Sequence, residues 1–319
     1  MKEDITNKGI NRLSGIFFVA FVLLIILFQW PPTVALLLGI ALTTILNNPI
    51  QQQSKRLTSI FLQVSIVGLG FGMNFIQVIE VGEKGFVFTL LTIGTAIGLG
   101  FIIGRLLKVD RLISYLISVG TAICGGSAIA AIGQVVDADE NDVSISIGTI
   151  FILNAIALFI FPAIGEMMGL TQMQFGIWAA IAIHDTSSVV GAAANYGNEA
   201  LMIATTIKLA RALWIVPLAL ITSVIFNKQS RASSFPWFIL LFIFTSLINT
   251  YTNIPQEIKN HILIVSKTGF SLTLLLIGLG ISPAKLRLVG FRPLLQGAIL
   301  WAILLVSSLI LIIRMPNLN

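Results

Sequence analysis

Eleven apolar stretches run along this chain with only short polar interruptions, and they leave few folds open to it. They cover roughly 14–30, 32–47, 57–79, 86–104, 111–136, 143–165, 173–196, 199–226, 236–253, 261–282 and 291–313. A helix that crosses the hydrocarbon layer needs about 20 largely apolar residues, and most of these stretches have that length. Strands of a membrane barrel would alternate apolar and polar residues, and these do not. Charged residues make up 10% of the 319 positions, against roughly 25% in a soluble domain. The expectation is an all-α polytopic membrane protein of about eleven transmembrane helices, multi-pass in the cell membrane. It forms one transmembrane domain over 1–319 with no soluble domain, since the longest connector is about 227–235, with Ser230, Ser233 and Ser234. The start places Lys2, Lys8 and Arg12 before an apolar run to Trp30, as a signal peptide would. It shows no small-x-small cleavage site, and Pro31-Pro32 leads into the next run, so we read a retained first span. The single cysteine, Cys124, excludes an intrachain disulfide.

The connectors give the orientation. With a cytoplasmic N-terminus, the inner segments carry Lys2, Lys8, Arg12, Lys55, Arg56, Arg105, Lys108, Arg111, Lys228, Arg231, Lys285, Arg287 and Arg292. The outer segments carry Lys84, Lys259 and Arg314. Thirteen against three is a strong positive-inside bias. It accounts for the net charge of +6 without nucleic acid. An odd number of spans puts the C-terminus outside, and the acidic cluster Asp137, Asp139, Glu140 and Asp142 also falls outside.

Two internal echoes hint at duplication. Gly68-Leu69-Gly70 and Gly278-Leu279-Gly280 lie in the third and tenth spans, which run in opposite directions as in an inverted repeat. The segments after Cys124 and His184 each lead to a proline-ended span, at Pro162 and Pro217. On eleven spans that second pair runs in one direction, so the two echoes do not describe one symmetry.

Polar breaks interrupt two of the stretches. "TAICGGSAIA" (121–130) sets Cys124, Gly125, Gly126 and Ser127 in the fifth, and "HDTSSVVGAAAN" (184–195) interrupts the seventh. Paired breaks of this kind point to a transporter site. Unwinding a helix in lipid strands N–H and C=O groups at several kcal/mol each, so a cavity, ion or substrate must satisfy them. A half-helix starting near Ser127 would aim its N–H groups and positive dipole end at such a cavity. The intramembrane charges are His184, Asp185, Lys208, Arg211 and Lys267, the last close enough to the outer surface to snorkel. Lys208 and Arg211, three apart, share a helix face. Either one of them pairs with Asp185, or the excess cation awaits an anionic guest. Thr186, Ser187, Ser188 and Asn195 are candidates for oxyanion contacts or interhelical bonds, and Asn154 in the sixth span has the same two readings.

"ICGGSAIAAI" (123–132), "AIHDTSSVVGAA" (182–193), "TIKLARALWIVP" (206–217), "LIGLGISPAKLRLVGFRPLLQG" (276–297) and "GLGFGMNFIQVIEVG" (68–82) occur in order along nearly the whole chain. In these motifs the chain resembles the YeiH-type family of bacterial sulfate exporters, within the wider cation/proton antiporter and bile-acid transporter superfamily. The resemblance implies an inverted-repeat architecture like that of NhaA-type antiporters and bile-acid transporters. Discontinuous helices would cross near mid-membrane, with a core and a panel domain and alternating access. Where the bile-acid pattern carries Ser-Asn for sodium, this chain has Ala130-Ala131, which leaves proton coupling open. Where the family often has His-Glu followed by Gln, this chain has His184-Asp185 and then Ser188.

The leading expectation is a secondary active transporter of a small anion, of the sulfate or organic sulfonate class. Cys124, Gly125, Gly126, Ser127, Thr186, Ser187, Ser188, Lys208 and Arg211 would bind it. His184, Asp185 and Asn154 would handle the coupling proton or Na⁺. On this reading Lys208→Ala or Arg211→Ala removes anion binding and leaves the fold intact. The alternative is a cation/proton antiporter of the same fold using Asp185. An intramembrane enzyme, with Cys124 or Ser187 as nucleophile and His184 as base, has no nucleophile-elbow or zinc motif behind it. The chain is therefore expected not to be an enzyme, and to use no cofactor or metal. Its partners would be the anion, the coupling ion, the bilayer and, as an option, a second copy in a homodimer.

Overall fold

The computed structural model describes residues 2–46, 48–226, 237–280 and 289–314. Lys228, Arg231, Lys285, Arg287 and the connector serines Ser230, Ser233 and Ser234 lie outside the described residues. Among the described residues the regular structure is helical throughout. The helices are α1 (Lys2–Phe28), α2 (Pro32–Ile45), α3 (Gln51–Leu69), α4 (Phe75–Leu106), α5 (Arg111–Ala122), α6 (Gly126–Val135) and α7 (Glu140–Met167). They continue with α8 (Gln172–Ala182), α9 (Thr186–Tyr196), α10 (Asn198–Ala212), α11 (Ile215–Ile225), α12 (Trp237–Tyr251), α13 (Gln256–Gly280) and α14 (Phe291–Ile313). Among the described residues five stretches are long and apolar enough to cross a bilayer: Thr89–Leu106, Asn141–Met167, Asn198–Ile225, Gln256–Gly280 and Phe291–Ile313. Shorter apolar helices accompany them, so the chain is an all-α polytopic membrane protein.

One boundary differs from expectation. The third stretch, read to 79, ends at Leu69 in a 3₁₀ turn over Gly70–Gly72, and the charged segment at 80–84 is helical. Two glycines in three residues disfavour helix at that turn. The 32 residues of α4 are longer than the hydrocarbon layer requires, so charges in its first turns need not end it.

The chain divides into two compact units, Met1–Phe75 with Leu240–Leu286 and Ile76–Ile239 with Arg287–Asn319. In the first unit, α13 packs against α2 and α3. A Cβ added at Gly68 would strike the Ser266 hydroxyl, and one added at Gly269 would strike that of Ser65. The two Ser-x-x-Gly segments thus pack reciprocally and antiparallel, each serine against the other helix's glycine. The last turn of α13 is tied down by side chains: Thr43 Oγ1 and Asn48 Nδ2 both donate to the Leu279 carbonyl at 2.9 Å.

In the second unit the fifth and seventh stretches do not cross; each turns back at its break. Tyr196, which ends α9, stacks on Phe175 near the start of α8. Its hydroxyl donates to Leu170 O at 2.6 Å, and Gln172 Oε1 accepts from the N–H groups of Glu199 and Ala200. The start of α8 and the end of α9 are therefore side by side. In the other pair, Gly120 of α5 lies against Ile129 of α6. Ser146, near the start of α7, donates to Ile113 O near the start of α5, and Asp142 is close enough to feel the charge of Asp110. The start of α7 and the start of α5 thus share one face of the unit. At 12 and 11 residues, α5 and α8 each rise about 18 Å or less, too little for a hydrocarbon layer of about 30 Å.

The spans between them are continuous. Along α7, Ser146 is beside α5, Asn154 at mid-length bonds the tip that ends α8, and Phe161 packs on Trp178. The path α10–α11 runs the other way, from Gln172 past the tips to Thr222, whose hydroxyl meets that of Tyr115 at 2.6 Å. Two units of hairpin plus span, α5–α6–α7 and α8–α9–α10–α11, therefore enter from opposite faces. The segments leading to Pro162 and Pro217 run in opposite directions, as an inverted repeat requires. The acidic cluster at 137–142, expected on the face opposite Arg105, Lys108 and Arg111, stands on the same face as they do. The connectors that change sides contain no Lys or Arg, so the positive-inside count could not detect the hairpins.

Candidate functional site

The two hairpin tips align without a gap. Helices end at Ala122 and Ala182 and resume at Gly126 and Thr186. Both tips read Ala-Ile-x-x-x-Ser: Ala122-Ile123-Cys124-Gly125-Gly126-Ser127 and Ala182-Ile183-His184-Asp185-Thr186-Ser187. Gly125 turns the first tip with φ 67° and ψ −125°, a conformation costly for any residue with a Cβ. The second tip turns in extended backbone, with Asp185 capping α9 by accepting from the Ser188 N–H at 3.2 Å. The tips touch: a Cβ at Gly125 would stand 3.4 Å from both His184 O and Asp185 Cβ.

Four half-helix ends converge there, and each carries about half a charge. The two negative ends are met by cations. Lys208 Nζ donates to Ile183 O at 2.6 Å and to Ala180 O at 3.4 Å. Arg211 Nη1 donates to Ala180 O and Ile181 O, each at 2.7 Å, and its Nη2 reaches across to Ala122 O on the other tip. Both side chains are fully buried. The positive end of α9 is met by Asp185. The positive end of α6 has a glycine cap and no acidic residue in its first turn, and the neutral Cys124 side chain accepts from the Ala128 N–H there. It is also open, with Gly126 partly exposed and Ser127 exposed.

Asn154 on α7 accepts from the His184 N–H at 3.1 Å. It is the counterpart of Arg211: each lies on the span after one hairpin and bonds the backbone of the other hairpin's tip. Among the described residues five side-chain bonds hold tip two, one from Asn154 and four from Lys208 and Arg211 on the span that follows its own hairpin. Tip one is held by the Arg211–Ala122 bond.

The structure thus gathers Cys124, Gly125, Gly126, Ser127, Asn154, His184, Asp185, Thr186, Ser187, Ser188, Lys208 and Arg211 around one meeting point. Cys124, Ser187 and Ser188 are buried there, and Asp185 and Thr186 are partly exposed. Asn195 lies in the last turn of α9, and Lys267 belongs to the first unit. Among the described residues neither Lys208 nor Arg211 makes an ion pair with Asp185; their hydrogen bonds go to carbonyls. Sequence reading missed those carbonyls, which no side-chain pattern marks. It also missed the return of the seventh stretch, which had signals: a Thr171-x-x-Gln174 capping box, the Asp185-x-x-Ser188 cap, and Gly197 only 11 residues after the break.

The profile of the family described as conserved hypothetical protein 698 matches residues 15–297, which include both hairpins. The chain belongs to that family. Among its curated relatives, a UPF0324 membrane protein of Bacteroides thetaiotaomicron is 50% identical over 281 residues, 87% of this chain and 85% of that protein. One of Porphyromonas gingivalis is 44% identical over 329 residues, 98% and 99% of the two chains. A third, of Bdellovibrio bacteriovorus, is 44% identical over 275 residues, 84% and 85%. No solved structure matches. The relatives are named as membrane proteins, in keeping with the apolar helices of this chain.

Proposed function

We propose that this member of the family is a secondary active transporter of a small anion, of the sulfate or organic sulfonate class. The observation that carries the reading is the α6 N-terminus: among the described residues it is the one of four half-helix ends at the tips that meets no charged side chain, being capped by the neutral Cys124 side chain alone, and Ser127 in its first turn is exposed. Anions bind at helix N-termini for this reason. Lys208 and Arg211 support the site indirectly. By neutralising the two negative ends they prevent those ends from repelling an anion at Gly126 and Ser127. The substrate class rests on the resemblance to the sulfate exporters.

Hairpins from opposite faces with touching tips supply two gates. The first tip, held among the described residues by one bond from another helix's side chain and turned on glycine, is the one that yields more easily. Opening it exposes the site to the face of Arg105 and Arg111, the cytoplasmic face by the positive-inside bias. Turning two of the eleven apolar stretches of the sequence into hairpins leaves nine to cross, which keeps the odd parity expected from the sequence. Asp185 is the coupling group for a proton or Na⁺.

The cation/proton antiporter reading draws support from one feature. Asp185 is partly exposed at the tips, and its carboxylate accepts from Ser188 and from the Ser187 N–H. Thermal stability of the detergent-purified chain separates the two, because a ligand stabilises by RT ln(1 + [L]/Kd). Sulfate or methanesulfonate should raise Tm in wild type but not in Ser127→Asp, whose own carboxylate occupies the helix end and stabilises it. Stabilisation by Na⁺ or Li⁺ and by no anion would move the assignment to Asp185 and the antiporter.

A further inference from the structure

The second hairpin is built onto the span that follows it. Gln172 Oε1, at the start of α8, accepts from the N–H groups of Glu199 and Ala200 in α10. Lys208 and Arg211 of α10 donate to the carbonyls of Ala180, Ile181 and Ile183 at the tip. All of these bonds stay intact if α8, α9 and α10 move as one piece. The bond from Asn154 does not. Asn154 stands on α7, the span of the other hairpin, and its Oδ1 accepts from the His184 N–H at 3.1 Å. Further along, α7 meets the same piece through apolar contacts, with Phe161 on Trp178 and Gly165 against Phe175 and Tyr196. Apolar burial is non-directional and tolerates sliding, whereas a hydrogen bond fixes one position.

Asn154 is 3% exposed and uses one end of its amide. Its Nδ2 has no partner among the described residues, and neither ring nitrogen of His184 has one. Buried polar groups that serve packing alone are ordinarily satisfied. Thr149, five residues earlier on α7, shows the ordinary case by returning its hydroxyl to Ile145 O. The bond that Asn154 makes is thus set against the cost of groups left unpaired on both of its residues. Such a tie holds a closed arrangement without making it permanent.

We infer that Asn154 is the positioning residue that latches the second gate. Its carbonyl oxygen keeps the second tip shut through the His184 N–H. Release of that bond lets α8, α9 and α10 part from α7 and opens the site toward the face of Glu166 and Asn198. The inference rests on the transport reading and names the residue that closes its second gate, as the Arg211–Ala122 bond closes the first.

The single cysteine of the chain reports on the latch, because Cys124 lies in the first tip and is 2% exposed. The probe is a membrane-impermeant maleimide, applied from either face to the full chain in oriented proteoliposomes. Wild type should react slowly from both faces. Asn154→Leu removes the acceptor at similar volume, and Asn154→Ala removes it without filling the space. Either should speed labelling about tenfold from the face of Glu166 and leave the rate from the face of Lys108 unchanged. Asn154→Asp keeps an acceptor oxygen and should restore the wild-type rate. Thr149→Val deletes a bond within α7 alone and should change neither rate. Unchanged labelling in the Leu and Ala variants, labelling raised equally from both faces, or failure of both variants to accumulate would make Asn154 a packing residue. Any of these overturns the inference, and the transport reading stands as long as wild type exchanges sulfate or methanesulfonate. If wild type exchanges no anion, the transport reading itself fails, and the inference with it.

Discussion

Tyr196 stacks flat on Phe175, ring centroids 3.8 Å apart and planes 6° apart, although a helix, a break and a second helix separate them in sequence. That contact makes α8–α9 a re-entrant hairpin. Single cysteines introduced at Glu166 and Asn198 should therefore react with an impermeant thiol reagent from one side of the membrane. Cysteines at Lys108 and Ala138 should react from the other. Labelling of Lys108 and Ala138 from opposite sides, and of Glu166 and Asn198 from opposite sides, would restore an eleven-span topology.

Much of the fold was legible because hydropathy registers length and apolarity, and both hold for most of the eleven stretches. Direction is different. Residues 111–136 and 173–196 have enough apolar residues to cross, and only the packing of Gly120 on Ile129 and of Tyr196 on Phe175 turns them back. The site was legible at Gly125, His184 and Asp185, since breaks and charges in lipid need a reason. What Lys208 and Arg211 hold was not legible, because their acceptors are main-chain carbonyls that any residue could supply.

Arg211→Ala should destabilise the fold. It strands the carbonyls of Ala122, Ala180 and Ile181 in a buried tip, at about 1–3 kcal/mol for each buried group left unsatisfied. The purified variant should show a sharply lower Tm or fail to accumulate. Arg211→Lys should recover part of it, because an ammonium cannot reach both tips as a fork does. A stable Arg211→Ala variant that lacks only anion binding would instead make this guanidinium a direct substrate ligand.

Gly125→Ala and Gly126→Ala should differ although the residues are adjacent. The first forces a Cβ into φ 67°, a cost of about 1–2 kcal/mol, and stiffens the tip on which the first gate turns. The second lies in ordinary helix at the first position of α6. Tm and transport should fall for Gly125→Ala and change little for Gly126→Ala; equal effects would remove the special role of the Gly125 turn.

The central claim is that an anion passes between the tips, and transport tests it most directly. Proteoliposomes containing the full chain, loaded with unlabelled sulfate or methanesulfonate, should take up the radiolabelled anion by saturable exchange. Ser127→Asp, reconstituted at equal density, should not. Uptake no greater than in empty liposomes across the anion panel, with Na⁺- or Li⁺-driven proton movement in the same vesicles, would contradict the account.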